Sequence, residues 1–229
     1  MKHRAIGCWL GLAGILSAGN LTFPEVTKEL NPGVEATKVT ADFSFTNQTD
    51  KPVTIAKYDA GCSCMSVQIA DGKRVYAPGE SGVLRANFDM GNFSGSVDKN
   101  ISVWLQGDPE TAPSEHLTVR VNIPVLVELE PKTVKWDIGA TPEAKTIQIK
   151  MNGDKPIHIQ SVTSSSSQGF DHELKTLEDG KRYELVITPK ATQAAGLAIF
   201  KIQTDCEIQR HSLQQGFAVI SKSVPAALK

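Results

Sequence analysis

Leu117-Thr118-Val119-Arg120-Val121-Asn122-Ile123-Pro124-Val125-Leu126-Val127-Glu128 alternates an unbroken apolar series, Leu117, Val119, Val121, Ile123, Val125 and Val127, with a mostly polar one. A period of two places the first series on one face of a β-strand and the second on the other, so one face lies in a core. Pro124 has no N–H to give to a ladder, which puts it on an edge or at the strand's exit and makes it a candidate interaction edge.

The same period recurs upstream. Val39, Ala41, Phe43 and Phe45 alternate with polar residues, and the cluster Asn47 to Pro52 then separates them from Val53 and Ile55. Leu84, Ala86 and Phe88 follow the turn Ala77-Pro78-Gly79-Glu80, and Val97, Ile101, Val103 and Leu105 make a further series. Short strands with turn residues between them, and no helical period, imply a sandwich or barrel.

An internal repeat sets the domain number. Asn47-Gln48-Thr49-Asp50-Lys51-Pro52-Val53-Thr54-Ile55 is echoed by Asn152-Gly153-Asp154-Lys155-Pro156-Ile157-His158-Ile159, each preceded by an alternating strand, Ile147, Ile149 and Met151 in the second copy. Two copies of one module follow. The second continues through Lys175 to Leu177, the hairpin signal Asp179-Gly180, then Tyr183, Leu185 and Ile187, with Leu197, Ile199, Phe217 and Val219 supplying its last strands. Thr163 to Gln168 reads as a polar loop.

The chain is therefore expected to be all-β: two tandem immunoglobulin-like β-sandwich domains of seven to nine strands each. The expected division is a signal peptide at 1–19, a first domain at 20–128 with the Cys-x-Cys, and a second at 129–229. The first core should hold Phe43, Phe45, Ile55, Phe88, Ile101, Val103, Val119, Val121 and Ile123. The second should hold Trp136, Ile147, Ile149, Ile159, Tyr183, Leu185 and Ile199.

Composition narrows the function classes. A net charge of -1 over 229 residues, with no basic run beyond Lys2 to Arg4, argues against nucleic acid as a partner, because phosphate neutralisation needs a basic face. The start, MKHRAIGCWLGLAGILSAGN, sets a short positive region before an apolar one and ends on Ser17, Ala18 and Gly19, the order of an export signal with cleavage after Ala18 or Gly19. Its apolar run of about 14 residues is short of the roughly 20 needed to span a bilayer. Cys8 lies inside that run rather than after a small-residue box, which argues against a lipid anchor. The expected location is the periplasm or the outer cell surface, with no membrane span in the mature chain.

The strand ending in Asn47, the start Lys51-Pro52-Val53-Thr54-Ile55, the pair in Gly61-Cys62-Ser63-Cys64 and the turn Pro78-Gly79-Glu80-Ser81-Gly82 together resemble a family of secreted bacterial Ig-like domains of unknown function that carry a Cys-x-Cys. Its relatives in fold are major sperm protein, the ciliary ASH domains and the periplasmic pilus chaperones of the PapD type. The resemblance covers roughly Phe23 to Val127 and implies a habit of binding through sheet edges.

Candidate chemistry centres on cysteine. Export leaves Cys62, Cys64 and Cys206, an odd number in a compartment that permits disulfides. On an extended strand the Cα atoms of Cys62 and Cys64 would stand roughly 6.6 Å apart, near the limit for a bridge, so a bond between them needs a bend that Gly61 could supply. Cys206 is the other candidate partner for either. Cys62, Cys64 and Met65 also form a soft donor set suited to Cu(I) or to thiol redox chemistry. Against a metal stand the lack of a nearby His and the serines at the matching place in the second copy. No cofactor other than that Cu(I) alternative is expected.

Catalytic motifs are absent: no Gly-x-Ser-x-Gly, no His-Glu-x-x-His and no phosphate loop. His116, His158, His172 and His211 are scattered, and His158 is expected to face water. The leading expectation is a non-catalytic interaction or assembly module of the envelope, of the kind that accompanies pili or other surface structures. Its partners should be proteins, including further copies of itself paired through edge strands. Besides Pro124, the candidate edge is Leu21 to Val26, with Leu21 and Phe23 as its apolar residues.

Overall fold

The structure, a computed structural model, describes residues 21–166 and 168–222. The expected signal peptide lies outside the described residues. The chain is all-β and forms two tandem immunoglobulin-like β-sandwich domains. In chain order the first eight strands are β1 Thr27–Leu30, β2 Lys38–Thr46, β3 Val53–Asp59, β4 Met65–Ile69, β5 Val75–Tyr76, β6 Ser81–Asp89, β7 Gly95–Leu105 and β8 Glu115–Ile123. They make a sheet of order β1-β8-β7-β3-β5 and one of order β2-β6-β4. Then come β9 Val127–Glu130, β10 Thr133–Asp137, β11 Lys145–Met151, β12 Ile159–Ser164, β13 Phe170–Glu178, β14 Arg182–Pro189, β15 Gly196–Thr204, a single helical turn α1 Gln209–Ser212, and β16 Leu213–Ser221. These make the sheets β10-β16-β15-β12 and β13-β14-β11-β9.

By packing, the chain divides into two compact units. One takes residues 21–28, Asp42–Ala86 and Asn100–Thr118, the other Glu29–Ala41, Asn87–Lys99 and 119–222. In the first unit the alternation of β2 points Phe43 and Phe45 inward, fully buried with Ile55, Tyr76, Leu84, Ile101 and Val103. The Phe45 ring meets Tyr76 edge-on at 4.8 Å and Phe23 at 5.3 Å. Gly82 lies against both: a Cβ there would come within 2.5 Å of the Phe45 ring and 2.7 Å of Tyr76.

Asn47 shows why the repeat opens on asparagine. It is fully buried, and its amide donates to the carbonyls of Lys51 and Tyr76, both at 2.8 Å, while its Oδ1 accepts from Thr49. Its backbone joins the other turn, Asn47 N to Glu80 O at 2.9 Å and Gly79 N to Asn47 O at 2.8 Å. One side chain thus satisfies carbonyls of two turns that could not otherwise be buried. In the second copy Asn152 Nδ2 donates to Val125 O and to Glu128 Oε2.

In the second unit β11 lies antiparallel between β14 and β9, with Ile147 opposite Leu185 and Ile149 opposite Tyr183. All four are buried with Trp136, whose ring lies 6.0 Å from that of Phe170. Asp179-Gly180 turns β13 into β14 as expected, with Gly180 at φ +69° and its N–H bonded to Tyr183 Oη at 2.8 Å. β10 runs parallel to β16, pairing Thr133 with Phe217.

Two expectations of register fail. Ile159 is only half-buried at the margin of the second core, and Ile199 is half-buried outside it. In β15 and β16 the inward residues are Ala198, Phe200, Ile202, Ala218 and Ile220, so Leu197, Ile199, Phe217 and Val219 belong to the opposite face. The cause is visible at Gly216, which faces inward so closely that a Cβ would meet Ile147 Cδ1 at 2.8 Å. Ala218 and Ile220, two and four residues on, share its face.

Candidate functional site

β3 ends at Asp59, and residues 60–64 make a turn that leads into β4. Gly61 takes φ +64°, a conformation open to glycine at little cost, and Met65 N returns to Cys62 O at 3.4 Å. The turn draws the Cα atoms of Cys62 and Cys64 to 5.3 Å, and the two are disulfide-bonded. The bend that an extended strand would have lacked is therefore present, and both cysteines are half-buried. Met65 points the other way, 5 % exposed in the core, so its thioether does not join the cysteines at the surface. A disulfide offers no thiolate, and Cu(I) would need the bond reduced first.

Cys206 is a free, half-buried thiol. It packs against the second core, and its N–H reaches Thr204 Oγ1 at 3.3 Å. It is not the partner of Cys62 or Cys64, which bond to each other. Among the described residues no group of three or more His, Cys, Asp and Glu is placed to hold a metal ion.

The histidines are apart. His116 Nδ1 stands 3.4 Å from Ser102 Oγ, His172 meets the Phe200 ring at 5.2 Å, and His211 Nε2 donates to Pro124 O at 3.1 Å. His158 is tied down rather than simply facing water. Its N–H and Nδ1 bond the two oxygens of Asp205 at 2.7 and 2.8 Å, and Asp179 lies 3.8 Å from Nε2. The hydrogen bond to Asp205, aided by both negative charges, lifts His158 above the ordinary imidazole range.

The expected interaction edges are placed differently. β8 lies between β1 and β7, so it is an inner strand, and Pro124 marks its exit. Leu21 and Phe23 are core residues, 1 % and 9 % exposed. Thr22 pairs with Thr46 through two hydrogen bonds of 2.9 and 3.0 Å, and Val26 O accepts from Thr118 N. This segment is thus already paired. The long strands that stand at sheet edges are β2 and β13, nine residues each. β13 carries Asp171, Glu173 and Lys175, charges of the kind that guard an edge against indiscriminate pairing.

The feature the sequence reading missed is the outer face of the sheet β10-β16-β15-β12. By register Leu197 lies opposite Val219 and Ile199 opposite Phe217, so the four form one apolar block on the face away from the core. Leu197 is 58 % exposed, and the other three are half-buried. The signal was in the sequence: 197–200 and 217–220 are apolar at every position, which leaves apolar residues for both faces.

Comparison with curated proteins returns no match. Among solved structures, a protein of unknown function from Porphyromonas gingivalis W83 aligns over 88 % of this chain and 99 % of its own at 13 % identity and TM-score 0.34. The YadV chaperone aligns over 87 % and 99 % at 8 % identity and TM-score 0.33. The ASH/PapD-like domain 7 of human CEP192 aligns over 53 % and 97 % at 8 % identity and TM-score 0.33. Likenesses this low carry nothing about function. The stretch that holds Asn47, the Cys62–Cys64 turn and the Pro78 turn, residues 21–123, matches the family described as protein of unknown function (DUF1573).

Proposed function

We propose that the chain is a non-catalytic protein-binding module of the bacterial envelope, exported by a signal peptide at 1–19 and serving the assembly of a surface structure such as a pilus. The observation that carries this reading is the outward apolar block Leu197, Ile199, Phe217 and Val219. Contiguous apolar surface costs free energy in water and gives it back when a partner covers it. β10 and β12 bound the same sheet as short edge strands, so a partner lying on this face can also reach unpaired backbone groups. No helix among the described residues is long and apolar enough to cross a membrane.

Light scattering across concentration, with recovery of envelope proteins on the immobilised chain, tests the reading. The wild type should self-associate or retain a discrete protein, and Leu197→Glu combined with Val219→Lys should abolish it with the fold intact. A strict monomer that retains nothing would contradict the proposal.

A further inference from the structure

Arg210 occupies the single helical turn before β16 and is only 8 % exposed. One guanidinium nitrogen, Nη2, donates to the carbonyl of Ala36. The other, Nη1, is buried with no hydrogen-bond partner, the only such side-chain nitrogen or oxygen among the described residues. No carboxylate pairs with this cation among the described residues. Its neighbour His211 supplies no anion: burial holds its imidazole below the ordinary range, towards the neutral form, and its Nε2 is spent on Pro124 O. A buried guanidinium without an anion is costly, since the water it leaves is replaced by one neutral carbonyl.

The surroundings of Arg210 are built for an anion. Within the second unit it lines a cavity of about 540 Å³ together with Lys132, Asn92, Ser94, Gln203 and Gln214. Arg210 and Lys132, with residues that carry amides and hydroxyls, line this space, and no Asp or Glu lines it. Gln214 is held in place, its Nε2 donating to Arg210 O at 2.9 Å. Lys132 is exposed and pairs with no acid among the described residues. The cavity exceeds one small ion, so it suits an anionic group that belongs to a larger molecule.

We infer that this cavity is a binding site for an oxyanion, a carboxylate or a phosphate group, held by the Arg210 guanidinium and the Lys132 ammonium. The planar fork of arginine matches two oxygens of either group, and lysine adds a point charge at the mouth. The site shares none of its residues with the Leu197 face, so each can fail alone.

Calorimetric titration and thermal melts of the purified protein with sodium phosphate and with sodium succinate, at ionic strength held constant with sodium chloride, test the inference. At least one of the two anions should bind saturably and raise the melting temperature where chloride does not. Lys132→Met, a change at an exposed position, should weaken binding by roughly 3- to 10-fold. Arg210→Met should abolish the anion response while being as stable as the wild type, or more so, in chloride alone. Phosphate without succinate would identify a phosphate-bearing ligand, and succinate without phosphate an acidic one. Absence of saturable binding by either anion, or responses unchanged in Lys132→Met, would overturn the inference and leave a water-filled cavity.

Discussion

At the scale of single residues, the first unit turns on contacts that a side chain or its absence makes possible. Gly82 leaves room for the rings of Phe45 and Tyr76, so Gly82→Ala should cost about 1–3 kcal/mol in urea unfolding by overpacking; a neutral result would mean the rings yield freely. The Cys62–Cys64 bond closes a loop of only three residues and removes little entropy from the unfolded chain. The double variant Cys62→Ser, Cys64→Ser should therefore lose only about 1–2 kcal/mol in the same measurement. The second copy builds its sheets with no cysteine pair at the matching place, which agrees with a disulfide that the sandwich does not depend on. A loss much above that range would make the turn a structural staple.

At the scale of elements, most strands were legible because one face is apolar and the other is not. Each residue expected in the first core is buried, and the repeat was legible from its Asp-Lys-Pro turn residues and the alternating strands before them. Legibility ended where both faces are apolar. In 197–200 and 217–220 the period of two has two apolar phases, and the reading that put Ile199 in the core took the outward one, while Gly216 fixed the other. Leu21 and Phe23 were misplaced because an N-terminal segment gives no pattern long enough to reveal that it is covered. The Arg210 cavity had no sequence signal, since its residues come from four separated stretches. His158 was hidden for a similar reason, its partner Asp205 being 47 residues away.

The His158–Asp205 pair joins the start of β12 to the end of β15 and makes a prediction in pH. His158 is raised in the folded chain, so its contribution is present at low pH and fades as pH rises through that raised value. Asp205 is lowered, chiefly by the His158 N–H, so its contribution fades as pH falls through that lowered value. Melting temperature should therefore fall on the alkaline side of the ordinary imidazole range in the wild type, and His158→Gln should lack that fall. Parallel curves for the two proteins would show that the pair does not couple to folding.

At the scale of the whole molecule, the two sheets of the second sandwich place charge and apolar surface unequally. β13 presents charges at its edge, whereas β15 and β16 turn a block of apolar side chains outward. On the proposed reading, the outward apolar block of β15 and β16 is covered by a protein partner. The most direct measurement is photo-crosslinking in intact bacteria from a photoreactive residue placed at Leu197, with Lys175 on the charged edge as the control position. The exposed apolar face predicts a discrete protein adduct from position 197 and a much weaker one, or none, from position 175. Adducts of equal yield from both positions, or none from position 197, would contradict it.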